Sequence, residues 1–192
     1  MAYEDEVHPS PSRSGRWREA PGEDLSRIIA LSDGVFAFAM TLLVLSLVTP
    51  SLNPNLPDLS NALARALAGQ WRSFLSYILV FLILALWWTN HHRLFRYIER
   101  YDSPLIWMNF AFLLTVAVTP FALSVDQTYS STTTGVVLFA AISATTGALL
   151  WGMWRYATER RRLTASDLPA AQVEYFSHRW LVAPAVFLVS IG

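Results

Sequence analysis

Residues 26–48, SRIIALSDGVFAFAMTLLVLSLV, decide how this chain is read. The stretch is apolar enough and long enough to cross a bilayer, which takes about 20 residues of helix. Yet Asp33 sits near its beginning, and Arg27 lies six residues earlier. An aspartate at mid-membrane costs about 3 kcal/mol and less near the interface, so such residues face a bundle interior, a partner or an aqueous path. On a helix, Arg27 and Asp33 stand about 9 Å apart along the axis. An in-helix pair is thereby disfavoured, and each is expected to meet another helix. Trp88, Asn90, His91 and Asn109 are the candidate partners, because they fall on the same side of the membrane.

Working outward, the 192 residues are 54% hydrophobic, 14% aromatic and 15% charged, with the apolar positions gathered in blocks. That composition belongs to an integral membrane protein. Four spans are expected: about Ile28–Val48, stopped by Thr49-Pro50; Phe74–Trp88, with TNHHRLFRYIER as an amphipathic extension; Leu105–Leu123, with Asn109 inside and Pro120 near its end; and Val136–Trp154. The last carries Ala140, Ala144 and Ala148, a spacing that lets helix backbones approach closely. A fifth apolar run, WLVAPAVFLVSIG, starts at Trp180. The expected fold is an all-α polytopic transmembrane helix bundle with five visible apolar segments and a sixth missing at the C-terminus. Residues 1–25 are polar, rich in proline and without a signal-peptide core, and are expected to form a mobile cytosolic tail before a membrane domain over 26–192.

All 14 basic residues are arginines. Twelve flank one set of helix ends (13, 16, 18, 27, 93, 96, 100, 155, 160, 161, 162 and 179), and only Arg65 and Arg72 lie on the other. The positive-inside rule then sets the N-terminus in the cytoplasm. With no cysteine, disulfides, thiolate metal sites and cysteine nucleophiles are excluded. No nucleotide-binding, zinc-protease or serine-hydrolase pattern occurs, so no enzyme is expected.

Several motifs carry two readings. Leu31, Val35, Phe38, Leu42 and Leu45 follow three- and four-residue steps and form one stripe, with Thr41 beside it. The stripe is either ordinary helix packing or the apolar lining of a symmetric pore in which Thr41 offers hydroxyl oxygens to an ion. Arg27, Ser32 and Asp33 read as an inter-helix polar clasp or as a direct ionic site, the clasp being favoured. His91-His92 lacks a third ligand at metal spacing, and adjacent helical residues point about 100° apart. A hydrogen-bonding role beside Trp87 and Trp88, in an aromatic belt, suits it better than a metal. Thr134-Gly135-Val136 resembles a fragment of the TVGYG filter of ordinary potassium channels, but no Tyr-Gly follows, and a short turn into the fourth span is expected.

The run Arg27-Ile-Ile-Ala-Leu31-Ser32-Asp33-Gly34-Val-Phe-Ala, followed by Thr41-Leu-Leu-Val-Leu, closely resembles the signature of the transmembrane protein 175 family of potassium channels. Trp88-Thr-Asn-His91-His92-Arg-Leu-Phe resembles the second helix of its bacterial members, and Asn109 fits as well. The resemblance implies six helices per subunit, a homotetramer, and a pore lined by the first helix. It sets the constriction on Phe38, Leu42 and Leu45 and the ion-contacting threonine on Thr41. Arg27, Ser32, Asp33, Trp88, His91 and Asn109 become a structural polar network. Leu31 stands where the signature has Phe, and Phe38 where Ile or Leu is usual. The function implied is passive K+ conduction across a bacterial inner membrane, with potassium ions, the lipid bilayer and three further copies as partners, and with neither cofactor, metal nor nucleic acid. The alternatives are a proton-coupled transporter using Asp33 and His91, or a non-conducting membrane scaffold.

Overall fold

The computed structural model describes residues 18–19, 22–129, 132–164 and 168–189. Helix α1 covers Gly22–Leu42 and tightens into a 3-10 turn over Leu43–Ser46. Helix α2 is Leu59–Gly69, α3 is Trp71–Arg96, α4 is Ser103–Thr128, α5 is Thr133–Thr158 and α6 is Ala170–Val189. The strands β1 (Arg18–Glu19) and β2 (Arg100–Tyr101) form a short antiparallel ladder. Most of the expected N-terminal tail, residues 1–17, 20 and 21, lies outside the described residues. Regular structure nonetheless starts before residue 26.

Among the described residues, four helices are long and apolar enough to cross a membrane: Leu25–Ser46, Trp71–Arg96, Ser103–Thr128 and Thr133–Arg161. At 1.5 Å per residue, a 26-residue helix runs about 39 Å, more than the roughly 30 Å hydrocarbon core. The fifth apolar run, as far as Val189, is the second half of α6, and its last three residues lie outside the described residues. The first half, with Glu174, His178 and Arg179, is polar, and this lowers α6 below the other four. Among the described residues the count of spanning helices is therefore the four expected, and the fifth apolar run adds no further one. The amphipathic extension of the second span is continuous with it as α3 as far as Arg96, and Thr134-Gly135-Val136 forms the first turn of α5 instead of a loop.

Local chemistry sets the helix ends. Asp102 caps α4, its carboxylate accepting from the Leu105 amide at 3.1 Å, with proline in the first turn. Helix α4 continues through Pro120 to Thr128. Helix α5 ends in a hook where Arg160 and Arg161 take positive φ, 51° and 53°. The hook is fixed from both sides. The Leu163 amide donates to the Ala157 carbonyl at 3.0 Å, and the Leu163 carbonyl accepts from the amides of Glu99 and Arg100 at 3.0 and 3.2 Å. Tyr156 donates to the second Asp102 oxygen.

These contacts gather β1, the α3–α4 turn and the end of α5 at one end of the bundle. That end holds the arginine-rich segments. At the opposite end Gln127 donates to the Ser73 carbonyl at 3.3 Å, and Gln70 to the Val48 carbonyl at 2.8 Å. The spans thus alternate in direction. Helix α4 packs along α5 and α1, while α6 packs on α5. The small residues buried on α5 are Gly135, Ala140, Ser143, Ala144, Gly147 and Ala157, and Ala148 is exposed. The close-approach face is therefore one residue away from the expected Ala140-Ala144-Ala148 row at its last step. Trp154, fully buried, anchors α6 by donating to Ser177 Oγ at 3.1 Å and meeting Phe176 and Trp180 edge to face.

Candidate functional site

Helix α1 presents two faces of different character. Ser32, Phe36, Ala39 and Leu43 are buried against the bundle at four- and three-residue steps. On the other side Leu31, Phe38 and Leu45 recur every seven residues and are 50%, 65% and 73% exposed. Gly34 and Thr41 lie on one edge of this exposed face, while Val35 and Leu42 lie on the other, half-buried toward α4. An open groove of about 530 Å³ runs along it, lined by Leu31, Gly34, Val35, Phe38, Leu42 and, from α4, Ala117.

The helix changes pitch within this stripe. In a 3-10 turn, residues three apart eclipse one another. Leu43 and Ser46 accordingly share the buried edge, and Leu45 stands three residues beyond Leu42 on the open one. Ser46 Oγ donates to the Leu43 carbonyl at 2.7 Å, so the turn carries no unpaired hydroxyl. Thr41 Oγ1 donates to the Phe38 carbonyl at 2.8 Å. With its proton committed to the backbone, the exposed Thr41 oxygen keeps its lone pairs for an electropositive ligand.

The polar residues of the first span meet α3 and α4. Trp88 Nε1 donates to Asp33 Oδ1 at 2.8 Å. Asn109 Nδ2 donates to Ser32 Oγ at 3.1 Å, and Asn109 Oδ1 lies 2.8 Å from His91 Nε2. Ser32 Oγ in turn donates to the Ile28 carbonyl at 2.9 Å. That last bond fixes the direction of the chain. Since the Ser32 proton points at Ile28, the hydroxyl must accept from Asn109, the amide oxygen then faces His91, and the imidazole donates through Nε2. His91 is stacked on Phe112, with centroids 5.2 Å apart and planes 5° apart, and is flanked by Phe95 and Phe36.

Arg27, expected to join this network, stands exposed near the N-terminal end of α1, apart from it. Asp33 and His91, the pair invoked by the carrier alternative, have separate hydrogen-bond partners. Among the described residues, no three His, Cys, Asp or Glu side chains gather as a metal site would require. His92 stacks on Trp88 at 5.5 Å, so the two histidines point to different neighbours.

A family model described as "Endosomal/lysosomal potassium channel TMEM175" matches residues 27–120, the segment that contains both the stripe and the network. A potassium channel of Streptomyces collinus is 30% identical over 152 residues, which cover 76% of this chain and 71% of that protein. The chain belongs to the TMEM175 family. The crystal structure of a lysosomal potassium-selective channel TMEM175 homolog from Chamaesiphon minutus superposes with a TM-score of 0.75 at 26% identity, covering 88% of this chain and 85% of the other. The human endosomal/lysosomal proton channel TMEM175 is 26% identical over 134 residues, which are 68% of this chain and 26% of that protein. TMEM175 proteins are ion channels and not enzymes, and this member is an integral membrane protein with the helical fold of the family.

Proposed function

We propose that this TMEM175 protein conducts K+ passively through a pore lined by the exposed face of α1, in a homotetramer of a bacterial inner membrane with the N-terminus in the cytoplasm. The observation that carries the reading is the two-sidedness of α1. Its buried face is tied to α3 and α4 by the Ser32–Asn109–His91 chain, and its other face leaves Phe38 and Leu45 mostly uncovered within one protomer. A symmetric assembly about that face stacks the side chains of Phe38, Leu42 and Leu45 as apolar rings, and rings of this kind restrict a pore by controlling wetting. Thr41, between the first two rings, supplies oxygen to a partly dehydrated cation. Ser32, Asp33, Trp88, His91 and Asn109 hold the helix in rotation so that the stripe faces the axis, and Arg27 marks the cytosolic entrance.

The names of the relatives favour a second permeant ion. Bacterial relatives are described as potassium channels and vertebrate ones as proton channels. The test is flux from liposomes holding the full-length protein, under a K+ gradient, a matched Na+ gradient and a pH gradient. K+ flux above Na+ flux, with Leu42→Ala or Leu45→Ala raising conductance or relaxing selectivity, is the expected result. Dominant proton flux would replace K+ by H+ as the cargo. Saturating, gradient-coupled uptake would point to the carrier, and no flux from a well-folded oligomer to the scaffold. Unchanged currents from both leucine variants would overturn the pore assignment.

A further inference from the structure

Away from α1, the end of α5 and the start of α6 border an open pocket of about 440 Å³ that carries charged residues. Arg155 and Arg161 lie on its α5 side and His178 on its α6 side. Glu174 also borders it, so among the described residues the two arginines leave the lining net positive. Ala170, the first residue of α6, lines the pocket too; the Gln172 and Val173 amides already donate to the Pro169 carbonyl, so the start of the helix contributes chiefly the positive end of its dipole.

The hydroxyls supply a further clue. Thr158 and Ser177 border the pocket with their protons already given to the carbonyls of Trp154 and Val173, at 2.8 and 2.7 Å. Thr164 differs. It lines the same pocket at 1% exposure, and its hydroxyl has no hydrogen-bond partner among the described residues. A buried donor without an acceptor is costly, and an oxyanion on the pocket floor would satisfy it. The depth is that of a headgroup. Arg155 stacks over the Trp151 ring at 5.9 Å, and tryptophan with arginine at the end of an apolar helix marks the membrane–water boundary. Basic pockets between helices on this side of a membrane suit anionic lipid phosphates.

We propose that the pocket between α5 and α6 binds the phosphate group of an anionic phospholipid, with Arg155 and Arg161 as its principal ligands. The inference is independent of which ion the pore conducts. It is tested by native mass spectrometry of the full-length protein equilibrated with phosphatidylglycerol or with phosphatidylcholine, counting retained lipid. The wild type should prefer phosphatidylglycerol. Each arginine should contribute about fivefold, so Arg155→Gln with Arg161→Gln should lower phosphatidylglycerol retention on the order of 20-fold. Arg96→Gln, on the same end of the bundle but outside the pocket, should change it less than about twofold by the same reasoning. If the double variant fails to fold, Arg161→Gln alone, at an exposed side chain, carries the test with about a fivefold loss. A parallel arm measures the thermal shift given by inorganic phosphate against chloride at equal ionic strength. No preference for phosphatidylglycerol, an equal loss from Arg96→Gln, or a phosphate shift without lipid retention would each overturn the proposal.

Discussion

Asn109 joins three helices through one amide. It stands on α4, donates to Ser32 on α1 and accepts from His91 on α3, at 2% exposure. Replacing it by leucine leaves the His91 N–H buried and unpaired, which costs about 1–3 kcal/mol. His91→Phe removes that orphan and keeps an aromatic ring against Phe112, so the second substitution should recover part of the loss. A double-mutant cycle of Asn109→Leu and His91→Phe, followed by unfolding in mixed micelles, should give a coupling of about 0.6–1.7 kcal/mol, the range for hydrogen bonds between membrane helices. Additive costs would mean that the pair does not act as one unit. Intramembrane polarity made Ser32, Asp33, Trp88, His91 and Asn109 legible in the sequence as residues needing partners. Which of them meets which was not legible, because pairing depends on the rotation of three helices at once. Trp88 pairs with Asp33 and His91 with Asn109 only because α3 turns one side chain to α1 and the other, three residues on, to α4.

Helix α5 shows how far element boundaries and faces could be read. Its apolar length was plain, but the buried small residues follow Ala140, Ser143, Ala144 and Gly147 because three- and four-residue steps alternate on a packed helix face. A row of strict four-residue steps drifts off that face at Ala148. At the start of α5 the approach to α4 is close: a Cβ on Gly135 would lie 3.0 Å from the Cα of Asp126. Backbone cannot yield as a side-chain tip does, so Gly135→Ala should destabilise the α4–α5 pair by about 1–3 kcal/mol. Thermal melting in detergent should register this as a lowered midpoint. An unchanged midpoint would show that α4 and α5 can separate there freely. Helix α2 escaped notice altogether although its signals are present in the sequence. Asp58 precedes it, Leu59, Leu63 and Leu67 recur every four residues, and Gly69 closes it. Two prolines just ahead and its shortness disguised it as loop. The hook after α5 gave no signal, since Arg160 and Arg161 occupy a left-handed conformation where glycine or asparagine is the usual sign.

At the scale of the whole molecule, α1 poses the question of what covers its open face. Gly34 lies in the groove there, and a Cβ built on it meets nothing within 4 Å. Within one protomer, then, Gly34→Leu has room, and leaving glycine for leucine inside a helix gains up to about 1 kcal/mol of propensity. The protomer should fold at least as well as the wild type. In the proposed assembly the same position turns toward three other copies of α1, where a leucine from each chain enlarges the apolar stripe between Leu31 and Phe38 at the site of closest approach. Small residues permit such approach, and larger ones oppose it. Light scattering on the detergent-solubilised protein should therefore show fewer tetramers for Gly34→Leu, while far-UV circular dichroism shows undiminished helix. The comparison with Gly135→Ala makes the logic strict: the glycine packed inside the protomer should lower its melting point, and the glycine open to the outside should alter assembly alone. A Gly34→Leu protein with wild-type mass and wild-type flux would mean that the symmetry axis does not run along α1, and the conducting path would have to be sought on another face of the bundle.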